Sequence, residues 1–374
     1  MTSSSSPAIE RLRIRHYIYD DLENPWVAGG GAVRVHEIYR RLTAEADVEV
    51  VTGRYPRAAD GVNAGVRYVR SGLPRPYAVS RLSFAACASR GLRSDDYDAA
   101  FVDFSAYTWV NVPRNRPVAL VVGQLVTPTA AQRWGSLAGS FFSRAEQRML
   151  REARHVAAVS RPLLDQIRPY LRSDANTGVV SAAVSDELFA IERAEQDYLL
   201  FLGRFDMFQK GIDTLLAAAP VLLRRYPELR LIIAGRGKDA AKIRAAIGDR
   251  APQITLIEGV DAARRAALLR GALVLIVPSR FEGFGMVVAE GLAAGVPVVA
   301  SQLAPLVDIL RPPLGGEVFP ADDPAALCSV VSALLDAPAR RAALSIAGRA
   351  LARRFSWDAV ARDHLTFAHR LATA

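Results

Sequence analysis

Residues 274–301 read VLIVPSRFEGFGMVVAEGLAAGVPVVAS. The apolar run Val274–Val277 predicts a strand and the longer apolar run 286–294 a helix, with a glycine-punctuated loop between them. A second short strand is predicted at Val298–Ala300. Strand, loop, helix and strand in this order form a βαβ unit, the building block of a parallel sheet covered on both faces. The helix is apolar on nearly every side, which marks it as buried, yet it carries Glu290. A buried carboxylate is costly unless something pairs with it or donates hydrogen bonds to it.

The same alternation extends outward in both directions. Further strands are predicted at Leu199–Leu202, Arg230–Ala234 and Thr255–Ile257, with helices at about 211–225, 239–247, 262–270 and 304–310. Toward the N-terminus, strands at Leu12–Tyr19, Val48–Thr52, Val66–Val69, Ala99–Val102, Ala119–Val122 and Val156–Val159 alternate with helical stretches, the first at about Ala32–Leu42. A chain of 374 residues exceeds what one core organises. The expected fold is therefore α/β, with two Rossmann-like, doubly wound domains. The charged stretch before Tyr198 is taken as the hinge, giving domains 1–192 and 193–355. A final helix over about 356–374 has an apolar stripe that needs a surface, and it is expected to pack back on the first domain. Two such domains would face a central cleft at the carboxyl ends of their strands, where α/β proteins bind ligands.

Composition narrows the class. About half the residues are hydrophobic, so proper cores can form, but no apolar run reaches membrane-spanning length. The start, MTSSSSPAIERLRIRH, lacks the apolar centre of a signal peptide and reads as a short disordered tail. Cys87 and Cys328 lie far apart, no CxxC pair or His-rich cluster suggests zinc, and a cytoplasmic protein is expected. The net charge is +9, carried by arginine; the lysines are Lys210, Lys238 and Lys242. Between residues 51 and 172 there are 18 arginines against 8 acidic residues, a balance that favours anionic partners. Aromatic residues are not interleaved as a single-strand stacking platform would need, so no nucleic-acid partner is expected.

Chemistry gathers at the predicted strand ends of the second domain. Gly283 and Gly285 allow a tight turn and close approach of a ligand, and the helix start behind them offers unpaired N–H groups to an anion. Gly203-Arg204 closes the first strand of that domain and Lys210-Gly211 opens its first helix. Together the two cations would balance the charge of a diphosphate. The loop Gly235-Arg236-Gly237 is too short for GxGxxG, and no GxxxxGK[ST] occurs, so diphosphate binding here is built differently from both.

With Glu282 and Glu290 separated by seven residues inside PSRFEGFGMVVAEGLAAGVPVVAS, the Gly203-Arg204…Lys210-Gly211 pair, and FSWDAVA near the C-terminus, the chain resembles the retaining GT-B glycosyltransferases of family 4, glycosyl transferases group 1. The resemblance covers roughly 198–360 and is looser before that. It implies transfer of a hexose from a nucleotide-diphosphate sugar to an acceptor hydroxyl, with retention, in glycolipid, polysaccharide or small-glycoside synthesis. Glu290 would accept from ribose hydroxyls, Glu282 would contact the donor sugar, and Arg204 and Lys210 would hold the diphosphate. Gly203, Gly283, Phe284, Gly285, Met286 and Val287 would line the phosphates, and Arg236, Glu258 and Val260 the base. The nucleotide sugar is a co-substrate; no metal and no cofactor is expected, since two basic residues and a helix start can stabilise the departing charge. The DxD at Asp96-Tyr97-Asp98 precedes a strand and reads as a surface turn.

The first half departs from the family pattern. Gly29-Gly30-Gly31 precedes a helix, and Gly30 and Gly31 would approach donor phosphate or acceptor. Where many relatives place a histidine after a strand, this chain has Gly123-Gln124; Gln124, Asp103 and His36 are the candidates for acceptor or sugar contacts. Arg144, Arg148 and Arg151 share a face of the stretch 140–154, with Phe141 and Phe142 at its start. Such a helix can rest on anionic lipid, which would make the protein peripheral to the inner membrane face. The alternatives at this stage are a sugar-nucleotide epimerase or phosphorylase of the same architecture, or a non-catalytic protein binding sugar nucleotides or nucleic acid.

Overall fold

The computed structural model describes residues 11–26, 30–105, 109–125, 130–248 and 252–374, with backbone alone at 130–134 and 138. The serine-rich start and Gly29 lie outside the described residues. The chain divides into two compact units, Met1–Ser181 with Val360–Ala374, and Ala182–Ala359.

The first unit runs β1 (Leu12–Tyr17), α1 (Gly30–Leu42), β2 (Ala46–Gly53), β3 (Gly61–Asn63), β4 (Val66–Ser71), α2 (Tyr77–Gly91), β5 (Ala99–Asp103), β6 (Val118–Val122), α3 (Ala130–Glu152), β7 (His155–Ala158), α4 (Arg161–Ile167) and β8 (Asn176–Val179). Its sheet has the order β3-β4-β2-β1-β5-β6-β7-β8, parallel except for the β3–β4 pair. Every residue of β6 is buried, as is nearly all of β5, so this sheet is covered on both faces and its strands need no polar alternation. The outer strands β3 and β8 are short and polar, which is why apolar periodicity did not reveal them.

The second unit contains α5 (Asp186–Phe189), β9 (Tyr198–Arg204), α6 (Ile212–Arg225), β10 (Arg230–Arg236), α7 (Ala240–Ile247), β11 (Ile254–Glu258), α8 (Ala262–Gly271), β12 (Val274–Val277), α9 (Met286–Ala293), β13 (Val298–Ser301), α10 (Ala304–Leu310), β14 (Gly316–Phe319), α11 (Pro324–Leu335) and α12 (Pro338–Ala352). Six parallel strands lie in the order β11-β10-β9-β12-β13-β14. The helix α6 shows why the periodicity was readable: Ile212, Leu215, Ala218, Ala219, Leu222 and Leu223 recur at helical spacing, and all are buried against the sheet. The short helix α9 is enclosed instead; Val288 through Ala293 are all buried, Glu290 among them.

The last helix, α13 (Trp357–Ala372), belongs from Val360 onward to the first unit. Its apolar stripe finds a surface there: Phe367 lies against the backbone of Gly178 in β8, and the His364 ring sits 4.3 Å from that of Phe101 in β5.

Candidate active site

In the second sheet, β9, β10 and β11 follow one another outward, whereas β12 returns to the other side of β9. The loops after β9 and β12 therefore diverge at a topological switch point, where open α/β sheets hold ligands. The two loops touch. Gly211 has a φ of 61°, and a Cβ there would stand 1.8 Å from the Pro278 carbonyl oxygen. Only glycine allows both that conformation and that approach. Arg280 ties the second loop to the first. Its N–H donates to the Gln209 carbonyl at 3.0 Å, and its guanidinium donates to the Phe208 carbonyl at 2.7 Å and to both Asp213 oxygens at 2.8 and 2.9 Å.

On this platform Lys210 Nζ lies 2.5 Å from Glu282 Oε1, and Ser279 Oγ donates to the same oxygen at 2.8 Å. Both charged side chains are largely buried, 17% and 13% exposed. Such a pair costs little to maintain only because each charge answers the other. Arg204, at the end of β9, is exposed and donates to the Gln209 side-chain carbonyl at 3.3 Å. Beside it in register stand Gly203 with Gly235 and Arg204 with Arg236, so the ends of β9 and β10 present two guanidinium groups on one edge. Glu258 ends β11 and is ion-paired with Arg244 on α7, while Val260 is buried.

Gly285 takes up a left-handed φ of 105° to start α9, and a Cβ there would collide with Leu306 at 2.5 Å. Phe284 is buried edge-on against Phe355, 5.3 Å between ring centres. Gly283 and this aromatic anchor set the entry to the helix. The first-turn N–H groups at Met286 and Val287 have no carbonyl one turn back within the helix and point toward the loop side. Met286 is part-exposed there.

The carboxylate of Glu290 is 6% exposed, and its partner is Arg265 on α8, whose Nη1 donates to Oε1 at 2.8 Å. Burial pushes the Glu290 carboxyl up, with the Arg265 guanidinium pulling the other way. No other hydrogen bond to Glu290 occurs among the described residues. The sequence did not single out Arg265; an arginine on a helix, 25 residues from its partner, carries no local sign of the contact.

The first unit has its own switch point, between β1 and β5. Asp103, at the end of β5, is held by Arg34 Nη2 at 2.6 and 2.9 Å and by His16 Nε2 at 3.1 Å. Burial alone would raise its pKa, but Arg34 and His16 outweigh it and the carboxyl sits at about 2. The ionised Asp103 can only accept, so His16 carries its proton on Nε2 and accepts at Nδ1 from the Tyr39 hydroxyl, 2.8 Å away. The Tyr39 oxygen then accepts from His364 Nε2 at 2.9 Å, leaving His364 Nδ1 buried without a partner among the described residues. Burial lowers the pKa of both histidines, which favours their neutral imidazoles beside the ionised Asp103. The carboxylate of Asp20, with Asp103 and the backbone of Gly31, shares this end of the sheet: a Cβ on Gly31 would lie 3.5 Å from Asp20 Oδ2 and 3.7 Å from Asp103 Oδ2. Gly30 precedes it at the first position of α1 with open space around it.

His36 does not join this group. Its Nδ1 meets the Tyr68 hydroxyl of β4 at 3.0 Å, and burial lowers its pKa. Gln124 is exposed in the loop after β6. The DxD acids precede β5, at the opposite end of that strand from Asp103: Arg15 takes Asp96 at 2.7 Å and Arg13 takes Asp98 at 2.6 Å. Along α3, Arg144, Arg148 and Arg151 are exposed, with Arg148 donating to Glu152 at 3.0 Å. Leu137 and Phe141 on the same helix are 92% and 62% exposed. No described helix is long and apolar enough to cross a membrane.

Two family models tile the chain: Glycosyltransferase Family 4 matches residues 28–188 and Glycosyl transferases group 1 matches residues 196–337. The chain is 37% identical over 177 residues to a phosphatidyl-myo-inositol mannosyltransferase of Mycobacterium leprae, covering 47% of each. It is 33% identical over 208 residues to a D-inositol 3-phosphate glycosyltransferase of Xylanimonas cellulosilytica, covering 53% of this chain and 47% of that one. The chain spans about half the length of the curated relatives it matches. Among solved structures, sucrose-phosphate synthase from Thermosynechococcus elongatus superimposes with a TM-score of 0.76 at 20% identity, covering 97% of this chain and 100% of that one. HepE of Anabaena, in complex with UDP and glucose, gives 0.68 at 14% identity, covering 95% and 99%. At these identities the likeness is one of fold, GT-B.

Proposed function

Because the chain belongs to the glycosyltransferases of family 4 and group 1, we propose that it moves a hexose from a nucleotide-diphosphate sugar to an acceptor hydroxyl, with retention at the anomeric carbon. The observation that carries this reading is the Lys210–Glu282 pair set between the β9 and β12 loops, flanked by Arg204 and the first turn of α9. Departure of a nucleoside diphosphate develops negative charge, and fixed cations and N–H groups aimed at that charge lower the barrier. Lys210 is pre-positioned by Glu282, so it needs no rearrangement to meet a phosphate oxygen. Glu282 in turn has an oxygen left to accept from a donor-sugar hydroxyl. Gly203, Gly283, Phe284, Gly285, Met286 and Val287 would line the diphosphate, and Arg236, Glu258 and Val260 the base. Glu290 would accept from the ribose hydroxyls with the oxygen that Arg265 does not occupy. These groups supply the electrostatic work without a metal ion.

The acceptor we propose is a polyol hydroxyl, in keeping with the inositol-based acceptors that the relatives' names state. Gly30, Gly31, Asp103 and Gln124 would serve the first unit's side of the reaction. The exposed arginines of α3, with Leu137 and Phe141, suit peripheral contact with an anionic membrane. Their binding to anionic vesicles should fall steeply as salt rises.

Incubating the protein with UDP-, GDP- and ADP-sugars and a polyol, followed by anomeric analysis of the product by NMR, tests the reading. Transfer with retention is expected. An inverted product would remove the retaining mechanism, and neither transfer nor hydrolysis from any donor would remove the enzyme assignment.

A further inference from the structure

A cavity of about 280 Å³ opens at the carboxyl ends of β1 and β5 in the first unit. Its size lies just under the roughly 300–1,000 Å³ of small-molecule sites and leaves room for one ring-sized ligand. Its lining is mixed: Phe84, Val102 and Val110 are apolar, and Asp20, Arg81 and Ser105 are polar.

The polar groups are unevenly satisfied. Arg81 is fixed: it donates to the Tyr77 hydroxyl at 2.6 Å and to Ser105 Oγ at 3.2 Å, and its guanidinium lies 4.5 Å from the centre of the Tyr19 ring. Asp103 is answered from behind by Arg34 and His16. Asp20 alone of these charged groups accepts no hydrogen bond among the described residues, although it is half-buried. Burial first, and the neighbouring Asp103 charge second, push its carboxyl up to about 6, with Arg81 opposing. A carboxylate kept in that condition is unfavourable until something donates to it.

The charges around the cavity also limit what can enter. Asp103 is balanced by Arg34, and Asp20 by Arg81, so no net positive charge remains to draw an anion. Hydroxyl groups suit both the carboxylate and the guanidinium, since they donate to Asp20 and can accept from Arg81, while the carbon skeleton of a ring suits the apolar side chains of the lining. We propose that this cavity binds a small neutral polyol, a cyclitol or a single sugar ring, through hydroxyls that donate to Asp20. The assignment deepens the functional reading above, on which it rests for calling that polyol an acceptor; the binding itself is measurable without turnover.

The test is calorimetric titration of the whole protein with myo-inositol at about pH 7.5 and about pH 5, either side of the Asp20 pKa of about 6. Inositol phosphate and UDP or GDP are titrated separately. The wild type should bind myo-inositol more weakly at the lower pH, where Asp20 is protonated. Asp20→Asn should lower that affinity about tenfold or more, the usual cost of losing a hydrogen bond to a charged group, and abolish its pH dependence. Nucleotide affinity should not change in this variant. Asp20→Asn removes an unpaired charge and should melt no earlier than the wild type; Asp20→Ala supplies a second reading if it does. Equal polyol binding by wild type and both variants overturns the proposal. So does binding of the phosphorylated polyol alone, which would make Arg81 an anion clamp. If nucleotides fail to bind the wild type while the polyol result holds, the donor reading fails and this one stands; the converse removes this inference alone.

Discussion

In the first unit the crevice beside the leading strand is furnished with carboxylates, Asp20 and Asp103; of its cations, Arg34 is paired with Asp103 and Arg81 is held by Tyr77 and Ser105. The topologically matching crevice of the second unit carries Arg204 and Lys210, with Glu282 as the counter-charge that holds Lys210. One topology thus presents opposite chemistry. A sheet edge with cations and a helix start suits a group that becomes anionic, whereas an edge with an unanswered carboxylate suits hydroxyls. The supporting structure differs too. The cationic edge stands on loops braced by Arg280, while the acidic edge stands on a buried hydrogen-bond chain running from the ionised Asp103 through His16 and Tyr39 to His364.

The contrast is sharpest if Lys210→Ala lowers kcat about 10²–10³-fold with little change in KM, the size of effect seen when one transition-state donor is removed. Arg204→Ala should act in the same direction. Wild-type steady-state kinetics for both variants would mean that the cationic edge does not meet a leaving group. Next in size is stability on the acidic side. Tyr39→Phe leaves both His16 and His364 without their shared hydroxyl, and chemical denaturation should show a loss of about 1–3 kcal/mol. An unchanged midpoint would show that the buried chain does not hold the C-terminal helix. Glu290→Gln should come third: it keeps the shape and removes the charge, so donor binding should weaken by about tenfold while the fold persists. Equal donor affinity in a direct titration would place the ribose elsewhere.

The smallest expected effect is in pH dependence. His16 and His364 have folded pKa values depressed by burial below the ordinary value of about 6.5. The unfolded chain therefore binds more protons as pH falls below about 6.5, and their contribution, complete above that pH, is lost progressively beneath it. Urea midpoints should decline from neutral pH toward about pH 5, partly offset by Asp20, whose raised carboxyl at about 6 takes up its proton in the folded chain first, and before Asp103, held at about 2, begins to lose its own ionisation advantage. His364→Leu should flatten that decline. A decline of equal steepness in this variant would assign it to other groups.

Much of the architecture was legible because it depends on short-range pattern. The strand β12 and helix α10 begin and end where the apolar runs do, and α6 follows its buried periodicity almost residue for residue. The strands that escaped, GVN in β3, NTGV in β8 and GEVF in β14, are short and carry little apolar signal; neighbours in the sheet hold them more than their own side chains do. Among site residues, Arg204, Lys210 and Glu282 were visible at strand ends because glycines mark those turns. Asp20, Arg81 and Arg265 were not, since an acid in a loop or an arginine on a helix looks like any solvated charge.

By itself the sequence determined the βα alternation in both halves, the enclosed helix α9 around Glu290, and the cations at the carboxyl ends of the second sheet. These depend on spacing within one or two elements. Only the tertiary structure decided which charge meets which: Lys210 with Glu282 across 72 residues, Arg34 with Asp103 across 69, and Tyr39 with His364 across 325. Such pairs are chosen by the packing of distant segments and by the cost of leaving a buried polar group unanswered, and neither leaves a periodic trace in the chain.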